Sequence, residues 1–151
     1  MYPWRKPELF KPLIKSLNRF HIWIYEKYDG KYIGQFNGLP FCLMKVKGRK
    51  SGKIITIALL TIPHGDDYIL VASQGGAKIN PMWYYNLLEN PEIEMQVFSK
   101  KFKMNATELS NTEKNELWPK IIKAYPGYEN YQKATNRNIP VFICKKDRIL
   151  R

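Results

Sequence analysis

Over residues 7 to 28 apolar side chains recur every three or four positions: Leu9, Leu13, Leu17, Phe20 and Ile24 share one face, and Lys11, Lys15 and Arg19 fall on others. That period predicts a basic amphipathic helix, with Pro12 either in its first turn or dividing it. After the glycine-rich loop DGKYIGQFNGLP the pattern shortens to apolar runs bounded by turn residues. Strands are expected at 41–47 and 53–62 around GRKSG, and at 68–73 after the turn Pro63-His64-Gly65-Asp66. Asn80-Pro81 predicts a helix start, with Asn80 as N-cap and Pro81 in the first turn, where its missing N–H costs nothing. That helix carries Trp83, Tyr84 and Leu87 and stops near Asn90-Pro91. A hairpin follows, 93–98 and 102–109 around a Ser-Lys-Lys turn. Ser110-Asn111-Thr112-Glu113 is a capping box that opens another helix, whose Leu117, Trp118, Ile121, Ile122 and Tyr125 form one stripe. Beyond Pro126, a short helix over 128–133 and a final strand over 139–145 are expected.

Short strands joined mostly by hairpins, with helices between and at the ends, define an α+β fold. An antiparallel sheet curled into a barrel is the economical closure, because it removes exposed edges. A chain of 151 residues, 44% hydrophobic and 14% aromatic, supports one core better than two. Residues 1–30 read as an N-terminal amphipathic helix and arm, and 31–151 as the barrel domain. No apolar run approaches the roughly 20 residues of a membrane-spanning helix, and no secretory signal is expected at the N-terminus. Cys42 and Cys144 sit in apolar strand-like runs and are expected as buried thiols in a reducing cytoplasm.

The net charge of +12 points to an anionic partner: nucleic acid, a membrane surface or a highly charged small molecule. Motifs for catalysis by side chains alone are missing, since the chain holds no GxGxxG, Walker loop, HExxH, paired CxxC or GxSxG. His21 and His64 fit structural or solvated roles, and no metal site is indicated. Chemistry is therefore expected from a bound cofactor, placed by three features. In MKVKGRKSGK (44 to 53), Arg49, Lys50, Ser51 and Gly52 occupy a tight turn that offers cations, a hydroxyl and N–H groups to a phosphate or carboxylate. A solvated basic hairpin tip would look the same. In ASQGGAKINPMWYYN (72 to 86), Gly75-Gly76 permit close approach of a ligand to the backbone, and the following helix aims its positive end nearby. In AYPGYENYQ (124 to 132), Tyr125, Tyr128 and Tyr131 recur every three residues, as a lid, a pocket wall or half-buried packing.

GRKSGK, then ASQGGAKINPMWYYNLLENP, then YPGYENYQKATNRNIPV closely resembles the deazaflavin-dependent nitroreductases, a family of flavin/deazaflavin oxidoreductases within the FMN-binding split β-barrel superfamily. The similarity runs from about Ile24 to Cys144. It implies a six-stranded antiparallel split β-barrel with flanking helices, often dimeric. The implied cofactor is the 8-hydroxy-5-deazaflavin coenzyme F-420, whose phosphate and oligoglutamate tail are anionic. Arg49, Lys50, Ser51 and Gly52 would hold the phosphate or tail. Ala72, Ser73, Gln74, Gly75, Gly76 and Ala77 would run along the deazaflavin, with Trp83 supporting it from the helix. Tyr125, Tyr128, Tyr131 and Ser73 would line the substrate side, none of them a certain catalytic residue. The implied reaction is hydride transfer from reduced deazaflavin to an electron-poor compound such as a quinone, enone or nitro compound. Two departures bear on the cofactor. Ile54 and Ile55 stand where the family places proline and arginine, with Ala58 for a second proline, and Gln74 stands where lysine is common. FMN, FAD or haem, even in a non-catalytic carrier, are the alternatives.

No RRM, OB, KH or helix-turn-helix signature supports nucleic acid as a specific partner. The first helix, with lysines flanking an apolar face and with Trp4 and Trp23, has the composition of an interfacial membrane anchor. Packing on the barrel or on a second subunit explains it as well. A cytoplasmic enzyme, compatible with a peripheral place at the inner membrane face and with a homodimer, is the expectation.

Overall fold

Alternation of apolar and polar residues builds the sheet. In strand β2 (Leu39–Lys47), Cys42, Met44 and Val46 are buried while Lys45 and Lys47 face solvent, the period-two pattern of a half-buried strand. The computed structural model describes residues 7–150; Trp4 and the side chains of Leu9 and Lys11 lie outside the described residues. β2 pairs on one side with β3 (Ile54–Leu60) and on the other with β6 (Glu92–Val97). Antiparallel pairing continues from β6 to β7 (Lys100–Glu108), then to β8 (Val141–Leu150), to β5 (Asp67–Val71) and to β4 (Ile62–His64). A two-residue β1 (Gln35–Phe36) pairs with the start of β2.

Among the described residues eight strands replace the six expected. The extra ones are β1 and the division of the 53–62 run at Thr61. Buried Thr61 donates its N–H to Pro40 O at 2.9 Å and its hydroxyl to Ile69 O at 3.1 Å. The chain there leaves its pairing with β2 and takes up pairing with β5, a bend set by tertiary partners that no local signal marks. The result is a curled antiparallel sheet, consistent with a split barrel. The final strand extends well past 145, because its outer half is paired to β7 as far as Leu150.

Two cores result. Inside the sheet, Cys42, Met44, Leu70, Met95, Met104 and Phe142 pack with Leu87 and Trp83 from α2 (Met82–Glu89). Both thiols are buried here, and burial pushes the Cys42 pKa up to about 12 and that of Cys144 up as well; neither is a reactive thiolate. On the outer face, Ile62, Val71, Ile139 and Val141 meet Ile121 of α3 (Asn111–Ala124) and Tyr128 of α4 (Gly127–Lys133). Helix α3 starts at the expected capping box: Glu113 N–H donates to Ser110 Oγ and Ser110 N–H to Glu113 Oε1, each at 3.2 Å.

Helix α1 (Pro7–Tyr28) runs through Pro12 undivided. Its C-terminal half is fixed to the sheet. Tyr25 is fully buried, donates to Phe41 O at 2.8 Å and accepts from Phe98 N–H at 2.7 Å. His21 packs edge-on against Phe41, and its Nε2 lies 2.9 Å from Ile33 O. Gly34 is needed beneath, since a Cβ there would lie 2.0 Å from Gly30 O. Other positions of the helix are uncovered: Leu13, Leu17 and Phe20 are 56%, 59% and 57% exposed. Among the described residues no helix is long and apolar enough to cross a membrane.

Candidate functional site

The basic turn between β2 and β3 is held from within and from α2. Gly52 N–H donates to Gly48 O at 2.9 Å, Gly48 N–H to Lys53 O at 2.8 Å, and Lys53 N–H to Ser51 Oγ at 3.2 Å. Gly52 has φ +68°, which favours a residue without Cβ. From α2, buried Asn86 accepts the Arg49 N–H at 3.1 Å, and Asn90 donates to Lys47 O at 3.2 Å. The Arg49 guanidinium lies 5.1 Å over the ring of Tyr85. Its Nε is buried and, among the described residues, has no hydrogen-bond partner. A charged donor buried without an acceptor costs free energy unless something supplies one. Lys50 is exposed beside it.

The second feature leaves β5 at Ala72, whose N–H donates to Pro140 O at 2.9 Å. Ser73 is right-handed (φ −73°), and then Gln74, Gly75 and Gly76 have φ of +44°, +63° and +79° in a 3-10 turn, Gln74–Gly76. A right-handed residue followed by a left-handed one turns successive N–H groups into a concave nest suited to an anion. The two glycines serve different ends. A Cβ on Gly75 would meet open space, whereas one on Gly76 would lie 2.8 Å from Tyr131 O of α4. Only Gly75 fits the expectation that a ligand approaches the backbone; Gly76 lets α4 approach it instead.

Arg137, in the connection before β8, holds this segment. Its Nε donates to Ala77 O at 2.8 Å, Nη1 to Ala72 O at 3.2 Å and to Asn80 Oδ1 at 2.7 Å, and Nη2 to Ser73 O at 2.7 Å. Desolvation lowers its pKa, with Tyr85 opposing. Asn80 is therefore not the N-cap of α2: its side-chain oxygen is taken by Arg137, and Pro81 stands at the cap without a side-chain bond. Arg137, Tyr85 and Asn86 were given no role in the sequence reading. NRNIPV and NPMWYYN contain them, but no periodicity or spacing connects Arg137 to residues 72–80.

Tyr125, Tyr128 and Tyr131 do gather. Their ring centroids are 5.0 Å apart for 125–128, 6.2 Å for 128–131 and 6.3 Å for 125–131, with the hydroxyls of Tyr125 and Tyr131 at 3.4 Å. Tyr125 also faces Phe36 edge-on at 6.2 Å. Tyr128 is only 4% exposed, and burial raises its pKa strongly. Trp83 too is buried, 6.0 Å from Phe142. The loop of 72–80, α2, the basic turn and α4 thus form one neighbourhood, tied by Tyr85, Arg137 and the Gly76–Tyr131 approach. The histidines lie elsewhere: His64 Nδ1 accepts from Lys120 Nζ at 2.6 Å.

Comparison with known proteins places the chain in a family and a fold. The sequence model of the F420H(2)-dependent quinone reductase family matches residues 17–146. An F420H(2)-dependent quinone reductase of Mycobacterium tuberculosis is 34% identical over 135 residues, covering 87% of this chain and 91% of that protein. The solved structure of an F420-H2 dependent reductase is 37% identical, with a TM-score of 0.65 over 70% of this chain and 94% of the other. Another solved structure, described as a domain-swapped dimer, is 34% identical, with a TM-score of 0.66 over 82% of this chain and 97% of the other.

Proposed function

We propose, for a chain that belongs to the F420H(2)-dependent quinone reductase family of oxidoreductases, that it transfers hydride from reduced 8-hydroxy-5-deazaflavin coenzyme F-420 to an electron-poor organic substrate such as a quinone, enone or nitro compound. The observation that carries this reading to specific residues is the buried Arg49 Nε, without a hydrogen-bond partner among the described residues, beside exposed Lys50. The donor set fits an anionic cofactor: two cations on one turn, and a backbone nest at Ser73–Gly75. When bound, the deazaflavin supplies the hydride from its C5.

The chain's own part is to bind, orient and exclude water. Arg49 and Lys50 take the phosphate or tail, on a turn whose Ser51 hydroxyl and Gly52 set its shape. Ala72, Ser73, Gln74, Gly75 and Ala77 form the bed for the ring system, with Trp83 behind it in the core. Tyr125 and Tyr131, backed by Tyr128, line the substrate side, and a tyrosine hydroxyl or solvent provides the proton that completes reduction. Residues 31–151 act as the cofactor-binding split-barrel domain and 1–30 as an arm. The uncovered stripe of Leu13, Leu17, Phe20 and Trp23, flanked by Lys15, Arg19 and Lys27, suits a membrane surface carrying an apolar substrate. The domain-swapped relative makes a second subunit the rival cover.

Titration of the purified protein with deazaflavin coenzyme, FMN, FAD and haemin, followed by fluorescence and absorbance, tests the reading. Tightest binding is expected for the deazaflavin, with turnover of a quinone by the reduced form. Tighter binding of FMN or haem, with no deazaflavin-driven turnover, overturns it in favour of a carrier or flavoprotein.

A further inference from the structure

Lys114 is the one lysine in the buried part of the described chain, 6% exposed on α3. No carboxylate is paired with it among the described residues. Burial drives its pKa down to about 8, with nearby Arg137 adding to the effect. Its Nζ donates to Gln132 Oε1 of α4 at 3.0 Å and to Asn138 Oδ1, and it lies 4.7 Å from the Trp118 ring. Gln132 does three things at once: its Oε1 also accepts the Ile139 N–H at 3.0 Å, and its Nε2 donates to Arg137 O at 2.8 Å. Asn138 is further fixed by donating to Asn111 Oδ1 at 2.6 Å.

The backbone at Arg137 and Ile139 is thereby held by Gln132, and the Arg137 guanidinium holds four oxygens of residues 72–80. Burying an unpaired amine costs free energy, so a lysine here needs a compensating role; the outer core around Ile121 offers an apolar alternative that the chain does not use. We propose that Lys114 is a positioning residue for the ligand loop: through Gln132 and Asn138 it fixes Arg137, and Arg137 fixes residues 72–80. Lys114 reaches neither cofactor nor substrate, and the relay operates in the ligand-free protein whatever cofactor binds.

The test is backbone hydrogen exchange on the ligand-free full chain. Lys114→Met is expected to speed exchange of the Gly76 and Ala77 amides, which donate to Ser73 O and Gln74 O, about tenfold, since two contacts of the relay are lost. The β6–β7 hairpin should keep its protection. Leu117→Ala, a truncation on the same helix outside the relay, should lower the melting temperature without that local change. In an Arg137→Gln background, already loosened, Lys114→Met should add nothing further, the mark of two residues acting in series. If Lys114→Met fails to fold, Gln132→Met, which cuts the same relay at its bonds to Arg137 O and the Ile139 N–H, carries the same comparison. Unchanged exchange at Gly76 and Ala77, an equal effect from Leu117→Ala, or full additivity with Arg137→Gln overturns the proposal. Because no cofactor is present, that failure stands apart from failure of the deazaflavin reading.

Discussion

Arg49 and Arg137 are both near Tyr85, one lying over its ring and the other interacting with it electrostatically. Their donors have opposite fates. Arg137 makes four hydrogen bonds to Ala72, Ser73, Ala77 and Asn80, and so behaves as part of the scaffold although it lies beside the loop proposed to bind the cofactor. Arg49 has a backbone N–H tied to Asn86 and a buried Nε tied to nothing among the described residues. A satisfied guanidinium shapes a site, whereas an unsatisfied donor leaves a bond for the proposed ligand to complete. Proximity to a site does not separate these roles, and the hydrogen-bond inventory does.

The strongest way to break that contrast is Arg137→Met. Several charge-assisted bonds to part-buried oxygens would go, with a stability loss of about 3–5 kcal/mol and disorder of residues 72–80. Denaturant unfolding read alongside near-ultraviolet circular dichroism measures it. A loss below about 1 kcal/mol would remove Arg137 from the scaffold and end the contrast.

Arg49→Ala with Lys50→Ala should do the reverse. Cofactor affinity is expected to fall by about 2–4 kcal/mol, at roughly 1–2 for each charge-assisted contact, while the melting temperature hardly moves. Added salt should weaken wild-type binding more than that of the double variant. Unchanged affinity in a folded double variant removes the turn from the site.

The contrast also explains what could be read in the chain before its fold was known. The basic turn was legible because its cations are contiguous, and the α3 capping box because Ser110 and Glu113 are three residues apart. Arg137 was not, since its partners lie 57 to 65 residues earlier. The same distance misled the reading of Asn80, whose local chemistry suits a cap but whose oxygen is claimed from afar. Thr61 breaks a strand that looks continuous, because pairing switches from β2 to β5 there. The family resemblance carried the barrel and the cofactor class, but not which of two arginines keeps a buried donor without a hydrogen-bond partner among the described residues.

Lys114 sharpens the comparison as a buried cation that is satisfied yet uncompensated in charge. Its folded pKa, about 8, lies below the usual value near 10.4, so the folded state gives up its proton first. Between those values the unfolded chain binds more protons, and stability rises with pH; below about 8 the cost of the buried charge is fully present. From pH 7 to pH 10 wild type should gain on the order of 1–3 kcal/mol relative to Lys114→Met. Chemical unfolding of both proteins at the two pH values gives the difference, and a difference independent of pH refutes a depressed pKa.

The smallest expected effects belong to the tyrosines, where the same reasoning separates scaffold from site within one cluster. Tyr128 is inside the outer core, so Tyr128→Phe should change turnover little, and Tyr128→Ala should act through a cavity on stability. Tyr125 and Tyr131 are half-buried, with hydroxyls 3.4 Å apart at the surface of the cluster, next to the helix turn that meets Gly76. If they face the substrate, Tyr125→Phe and Tyr131→Phe should leave cofactor affinity and melting temperature nearly unchanged. Hydride transfer should then slow by about 0.5–1.5 kcal/mol per lost hydrogen bond. Their mutual contact makes the two coupled, so the double Phe variant should cost less than the sum of the singles. Single-turnover oxidation of the reduced cofactor by a quinone, measured on all the variants, decides the matter. Rates equal to wild type in both single variants and in the double would assign Tyr125 and Tyr131 to packing, alongside Tyr128.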